Sequence, residues 1–346
     1  MTEDVLTIVD GAAGRIRLNR PKAIHALNTV MCEAMLEALE AWRGDDAVRC
    51  VLIDHAEGRG FCAGGDIRML ADSGAGDGVD ARRFFHTEYR LNHRLFTYAK
   101  TTVALMDGIT MGGGVGISLP CDLRVATENT RFAMPETGIG LFPDVGGGWY
   151  LSRLPGRMGQ YLALTGARID GAECVALGLA THFMPAGMLN DAKTRMAASE
   201  EARAVLDALA ADPGEAKLLA HREAIDRLFA SDTLEEVLAA LESDDSEFAR
   251  ATLATLATKS PQTMKVSLKL LKDGAGMADF ADEMRQEYAV GSRVVQRHDF
   301  LEGVRAVIID KDNAPRWNPA TAEGVSDHVI DQIFAPLPPG EEWTPA

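Results

Sequence analysis

Cysteine, positive charge and nucleotide-binding signatures are what this chain has least of. Its five cysteines, Cys32, Cys50, Cys62, Cys121 and Cys174, are odd in number and form no C-x-x-C pair. That argues against a disulfide framework or a structural zinc site and makes a reducing compartment the expectation. Lysine and arginine number 35 against 51 aspartates and glutamates, for a net charge of −16. So acidic a balance disfavours nonspecific binding to nucleic acid or to an anionic membrane, and neither partner is expected. It leaves room for a local basic pocket. No G-x-G-x-x-G and no G-x-x-x-x-G-K-[ST] occurs, so the dinucleotide and P-loop readings lose their main support. No apolar run is long enough to cross a bilayer. The opening MTEDVLTIVD lacks the basic segment and apolar core of a signal peptide, and a cytoplasmic location is expected.

What the chain has instead is apolar mass and glycine. Of 346 residues, 47% are hydrophobic, 25% are charged and 33 are glycine, a globular composition with enough apolar mass for one large domain or two ordinary ones. The first half alternates short β-like runs with glycine-rich turns and helical patterns. VLTIVD and RIRLN read as a hairpin. VRCVLIDHA, TTVALMDG, DLRVATE and HFMP read as further strands, and TVMCEAMLEALEAWR as a helix. Repeated strand–turn–helix units predict an α/β fold. From about residue 190 the chain becomes rich in Ala, Leu and Glu, with Ile225, Leu228, Phe229, Leu234, Val237, Leu238 and Leu241 at helical spacing. The division expected is a core over 1–190 and a helical region over 191–346 that completes the fold. SGAGDGVDA, residues 73–81, reads as a mobile loop. KSPQTMKVSLKLLKDG reads as a helix with Ser260 as N-cap and Pro261 at its first position, and with Lys265, Lys269 and Lys272 on a solvated face.

Three glycine-rich stretches stand out: GRGFCAGGD (58–66), DGITMGGGVG (107–116) and DVGGG (144–148). In the first two, a strand pattern runs into a glycine turn and then a helix start, which leaves free backbone N–H groups. Two such donors converging on one point make an oxyanion hole; tight turns between packed elements are the alternative. The stretch FAMPETGIGLFPDVGGG (132–148) places Glu136 and Asp144 among apolar neighbours. Carboxylates are rarely buried without a partner or a task. Pairing with Arg131 or Arg153 is the structural alternative for Glu136, and a turn or capping role for Asp144. Cys62 has no histidine beside it in sequence and reads as a small packing residue. No histidine shows metal-ligand spacing with carboxylates, so no metal is expected.

RPKAIHALN, GRGFCAGGDI, GITMGGGVGISLPCDLRVATENTRFAMPE and LTGARIDGAECVALGLATH follow one another in that order over roughly residues 5–185 and together resemble the crotonase (enoyl-CoA hydratase/isomerase) superfamily. The resemblance implies an α/β, crotonase-like spiral of repeated ββα units with a helical C-terminal region, and an acyl-CoA-binding core over 1–190. It implies an acyl-CoA thioester as substrate, no cofactor beyond the CoA of that substrate, and assembly as a homo-oligomer, a trimer or a hexamer. By motif position the oxyanion donors fall on Gly65 and Gly113. Ala63, Asp66 and Ile67 beside the first donor are implied substrate contacts, and Lys22 in RPKA an implied contact to the CoA phosphates.

Hydratases of this superfamily carry one glutamate just after the glycine triplet and another in the PE motif. The second is present as Glu136. The first position is Gly116, which has no side chain to transfer a proton. Three further stretches resemble the 3-hydroxyisobutyryl-CoA hydrolase branch: MPETGIGLFPDVGGG from Met134 to Gly148, with Gly138 at the pattern's one free position, FFHTEYRLN in part, and RHDFLEGVRAVIIDKDNAPRWNP, with Arg316 where lysine is common. That branch implies Glu88 as a substrate contact, Glu136 as nucleophile or general base, and Asp144 as acceptor for the substrate's 3-hydroxyl. The activity implied is hydrolysis of 3-hydroxyisobutyryl-CoA, a step of valine breakdown; a hydratase or isomerase reaction is the alternative. The helical stretch 190–255 is expected to pack and to wall the acyl site.

Overall fold

The computed structural model describes residues 2–345. Nine strands run in the order β1 (Val5–Asp10), β2 (Ala13–Leu18), β3 (Cys50–His55), β4 (Gly60–Cys62), β5 (Thr101–Met106), β6 (Ile109–Met111), β7 (Leu123–Ala126), β8 (Arg131–Ala133) and β9 (His182–Phe183). The helices of the first half are α1 (Thr29–Arg43), α2 (Ile67–Gly74), α3 (Val79–Phe96), α4 (Gly113–Gly116), α5 (Gly147–Leu151), α6 (Met158–Thr165) and α7 (Gly171–Ala176). Those of the second are α8 (Leu189–Ala197), α9 (Ala202–Leu209), α10 (Arg222–Leu228), α11 (Leu234–Glu242), α12 (Glu247–Leu256), α13 (Pro261–Gly276), α14 (Phe280–Val294), α15 (His298–Val304) and α16 (Asp327–Phe334).

β1 and β2 pair antiparallel, and the larger sheet then continues in parallel in the order β1-β2-β3-β5-β7-β9. The intervening strands β4, β6 and β8 form a second, parallel sheet of their own. Each of the pairs β3/β4, β5/β6 and β7/β8 thus gives one strand to each sheet and is followed by helix. This is the ββα spiral that the resemblance implied. The small-sheet strands lie inside the glycine-rich stretches and are three residues each, too short for any periodicity to show.

The segment 73–81 is not a mobile loop. α2 runs through Gly74 and α3 starts at Val79, which leaves four residues between them. The Ser73 hydroxyl accepts a hydrogen bond from the Ala81 N–H at 3.0 Å and ties the two helices together. Glycine at this junction serves close packing rather than mobility.

In the second half, Ser260 caps α13 by accepting from the Thr263 N–H, with Pro261 at the first position as the pattern indicated. The lysine face is only partly solvated. Lys272 is exposed and Lys269 pairs with Asp273, but Lys265 is buried to 12% exposure, pairs with Glu235 and donates to the Val325 carbonyl. α14 packs along α3, and one apolar cluster runs from Ile16 and Leu27 through Phe84 to Phe280, Phe300 and Trp343. The helical half therefore supplies part of the core around the site.

Candidate active site

The small sheet positions the site. β4, β6 and β8 lie side by side in parallel, with Cys62 opposite Thr110 and Met111 opposite Ala133. Their carboxyl ends release three loops at one place: Ala63–Gly65, Gly112–Gly113 and Pro135–Glu136. Parallel sheets commonly bind ligands at this end. The N–H groups of Gly65 and Gly113 have no hydrogen-bond partner among the described residues. α4 begins at Gly113, so its first N–H is free by geometry, as any helix start is. Both glycines line one cavity; an oxyanion hole would need their two N–H groups to converge there.

Cys62 sits beneath them. Its thiol donates to the carbonyls of His25 and Gly64, and burial pushes its pKa up to about 12. It packs the loop and is not poised as a nucleophile.

A cavity of about 480 Å³ opens over the two glycines. Glu88 of α3, Glu136 and Asp144 reach into it, and Ala63 and Ile67 line its wall. All three carboxyls are buried, at 2%, 6% and 5% exposure. Glu136 forms no ion pair: Arg131 donates to backbone carbonyls and Arg153 stacks on Trp149. Among the described residues its Oε2 has no hydrogen-bond partner, nor has Oε1 of Glu88. A Cβ built on Gly113 would lie 2.5 Å from that Glu88 oxygen, so a side chain there would displace the Glu88 carboxyl.

Desolvation raises all three pKa values. Glu88 is pushed up by burial first, then by the charges of Asp144 and Glu136. Glu136 is pushed up by burial and then by Asp144. Asp144 rises through burial to about 6, held from going higher by a hydrogen bond from the Tyr89 hydroxyl at 2.8 Å and by its own backbone N–H. Three acids at this spacing do not all ionise together near neutrality, and the apparent values belong to the set. The profile of kcat/KM is therefore expected to fall away as pH drops through about 6. Tyr89→Phe removes the donor that favours the charged form, so it is expected to move that limb up by about one pH unit. A pH–rate series on both proteins checks this; an unmoved limb would detach Tyr89 from the titration of Asp144.

Gly116 has a physical reason to be glycine. Val145, buried beside Asp144, takes φ +54° and turns its side chain toward α4. A Cβ on Gly116 would lie 2.6 Å from the Val145 Cβ and 2.9 Å from the Asn92 amide nitrogen, which itself donates to the Gly116 carbonyl. The space a hydratase glutamate would enter is filled.

Two implied contacts are not brought to the cavity. The Asp66 carboxylate caps α2 through the Met69 N–H and pairs with Arg20 at 2.9 Å. Lys22 is exposed on the short 3₁₀ turn Pro21–Ala23, away from the cavity lining. Nor does 190–255 wall the site: the far wall comes from Thr258, Lys259, Val307, Ile308, Asn313 and Pro315. Val307 and Ile308 belong to a π-helical turn, Arg305–Ile309, that follows α15. Lys259 and Arg168 at this rim are the cavity's basic groups, and burial lowers the Lys259 pKa. The sequence reading missed both, and also missed Tyr89. The motif TEYRLN contains Tyr89 beside Glu88, which was the available signal. Nothing local marks Lys259 or Arg168.

This fold and site define a class. Residues 13–334 match the enoyl-CoA hydratase/isomerase family, and the chain belongs to it. Within the family its relatives include "3-hydroxyisobutyryl-CoA hydrolase, mitochondrial" of Gallus gallus, 43% identical over 96% of this chain and 89% of the relative. They also include "3-hydroxyisobutyryl-CoA hydrolase 1" of Arabidopsis thaliana, 39% identical over 92% of this chain and 88% of the relative. Among solved structures, a carnitinyl-CoA dehydratase from Mycobacterium thermoresistibile superposes with a TM-score of 0.94 at 42% identity, covering 99% of each chain. Among the described residues, no helix is long and apolar enough to cross a membrane, and no group of three His, Cys, Asp or Glu side chains is arranged to hold a metal ion.

Proposed function

We propose that the chain is an acyl-CoA thioester hydrolase that converts 3-hydroxyisobutyryl-CoA to 3-hydroxyisobutyrate and CoA. The observation that carries the reading is a set: Glu136 unpaired and buried at the cavity, Asp144 bonded by Tyr89 at the same cavity, and the free Gly65 and Gly113 N–H groups on its wall. The thioester carbonyl would sit between the Gly65 and Gly113 N–H groups, which stabilise the oxyanion formed on attack. Glu136 would act there. As nucleophile it forms a mixed anhydride and expels CoA thiolate, and water then opens the anhydride; as general base it takes a proton from the attacking water. Asp144 would accept a hydrogen bond from the 3-hydroxyl, and Glu88, pushed toward its neutral form by burial, would donate within the cavity. Lys259 and Arg168 at the rim suit the anionic CoA moiety. No cofactor beyond the CoA of the substrate enters this scheme. The location proposed is a reducing compartment, the cytoplasm by the sequence reading and the mitochondrion by the name of the chicken relative. The assembly proposed, by family likeness, is a trimer or a hexamer.

The solved relatives named dehydratase and hydratase favour a second reading, water addition across a double bond. It would require Glu88 or Asp144 to replace the carboxylate missing at Gly116. Thiol release from 3-hydroxyisobutyryl-CoA, run beside hydration of crotonyl-CoA, separates the two. Thiol release without hydration is expected; hydration without thiol release would overturn the hydrolase reading.

A further inference from the structure

The scheme above leaves two buried acids unused. Glu283 and Glu287 stand one helical turn apart on α14, both fully buried. Glu287 accepts through Oε2 from the Gly146 N–H at 2.8 Å and through Oε1 from the Gly148 N–H at 3.3 Å. Those N–H groups belong to the turn that leads from Asp144 into α5. In that turn Val145 and Gly146 take left-handed backbone in succession, at φ +54° and +92°. A β-branched residue in this region is strained, and such strain persists only where the surroundings over-determine it. Glu283 lies behind Glu287, within hydrogen-bonding reach of it, and its oxygens have no other hydrogen-bond partner among the described residues. Burial, then Glu283 and Asp144, push Glu287 toward its neutral form. The charged and titratable neighbours of the pair are Asp144, Tyr89, Tyr150, Arg153 and Asp273.

We propose that Glu287 is the positioning residue of Asp144: its two carboxyl oxygens accept from the Gly146 and Gly148 N–H groups and hold the strained turn so that the Asp144 carboxyl faces the substrate's 3-hydroxyl. Glu287 touches no substrate and acts through the backbone. The α14 helix, far along the chain, thereby sets the hydroxyl selectivity of a site built on the first half. The proposal rests on the reading of Asp144 as the hydroxyl acceptor, and the test separates the two.

The readout is the ratio of kcat/KM for 3-hydroxyisobutyryl-CoA to that for isobutyryl-CoA, measured on the wild type, Asp144→Asn, Glu287→Gln and the double variant. Asp144→Asn is expected to cut the ratio by about 100-fold. Glu287→Gln is expected to cut it by about tenfold, since an amide has one acceptor oxygen for the two N–H groups and turns its NH2 toward the other. The double variant is expected to be no worse than Asp144→Asn alone, because two residues that act through one group are not additive. Glu283→Gln, which leaves both clamp hydrogen bonds in place, is expected to keep the wild-type ratio. If Glu287→Gln lowers turnover of both substrates alike while Asp144→Asn collapses the ratio, the positioning role is overturned and the Asp144 reading stands. If Asp144→Asn leaves the ratio unchanged, the Asp144 reading falls and the positioning role with it. Additive losses, or an equal loss from Glu283→Gln, also overturn the proposal. Should Glu287→Gln fail to fold, amide exchange on the unmodified enzyme decides: Gly146 and Gly148 are expected to be protected like the α14 backbone, and exchange at the rate of an exposed loop overturns the clamp.

Discussion

Glu136→Gln is expected to reduce thioester hydrolysis by about a thousandfold, with KM for the acyl-CoA changed little. The amide keeps the shape of the side chain but can neither attack the carbonyl nor take a proton from water. The fall should therefore sit in kcat. The cavity gives no substitute in place: Glu88 is pushed toward its neutral form by burial and by its two acidic neighbours, and Asp144 is held by Tyr89. The variant should fold at least as well as the wild type, because it removes a group whose ionisation is penalised by burial. Steady-state kinetics with a thiol-trapping assay measures both constants. Turnover within tenfold of wild type would mean that another carboxyl does the chemistry and that Glu136 is misassigned.

Asp144→Asn is expected to act in opposite directions on activity and stability. Activity on the 3-hydroxy substrate should fall by about 100-fold, the loss of a charged acceptor from a buried hydrogen bond. Stability at neutral pH should rise. Folded, Asp144 titrates at about 6; unfolded, an aspartate titrates near about 3.9. Between these values the folded state keeps a proton that the unfolded state has released. The contribution of this group is thus fully present below the lower value and is lost as pH rises through about 6. Above that pH the native state carries an ionised carboxylate at a cost of roughly 3 kcal/mol, of which the asparagine, still bonded to Tyr89, recovers a part of about 1–2 kcal/mol. Thermal unfolding of both proteins across pH 4–8 tests it: the gap in Tm should open as pH rises. A variant less stable than wild type at pH 8 would contradict the penalty assigned to Asp144. Active sites often hold stability back in this way.

The sequence carried more of this site than of the fold around it. Gly65, Gly113, Glu136 and Asp144 lie in contiguous motifs whose residue types are fixed by local chemistry, and all four converge at the cavity. Glu88 was legible only through its neighbours, since a lone glutamate in a helix resembles any surface residue until the chain folds Gly113 against it. The small sheet was hidden because strands of three residues carry no period. Asp66 misled for a similar reason: its place next to Gly65 is sequence adjacency, while its carboxylate turns away to cap α2 and meet Arg20. Lys259, Arg168 and the Val307–Ile308 wall join the site through long-range packing, which no window on the chain can register. Lys265 looked like surface by its charge, yet Glu235 and the Val325 carbonyl receive it in a half-buried setting.

The close fit of Gly116 against Val145 constrains ancestry as well as chemistry. A side chain at 116 and the valine turn at 145 cannot occupy the same space, so position 116 must change first on the way into this arrangement and position 145 first on the way out. A lineage moving from two glutamates to the arrangement seen here must lose the glutamate at 116 before the turn beside Asp144 can close, and passes through an intermediate with one carboxylate and an open hollow. Restoring glutamate at 116 alone would meet the same contact, so the return must reopen the turn at 145 first. The two positions therefore change in a fixed order in each direction.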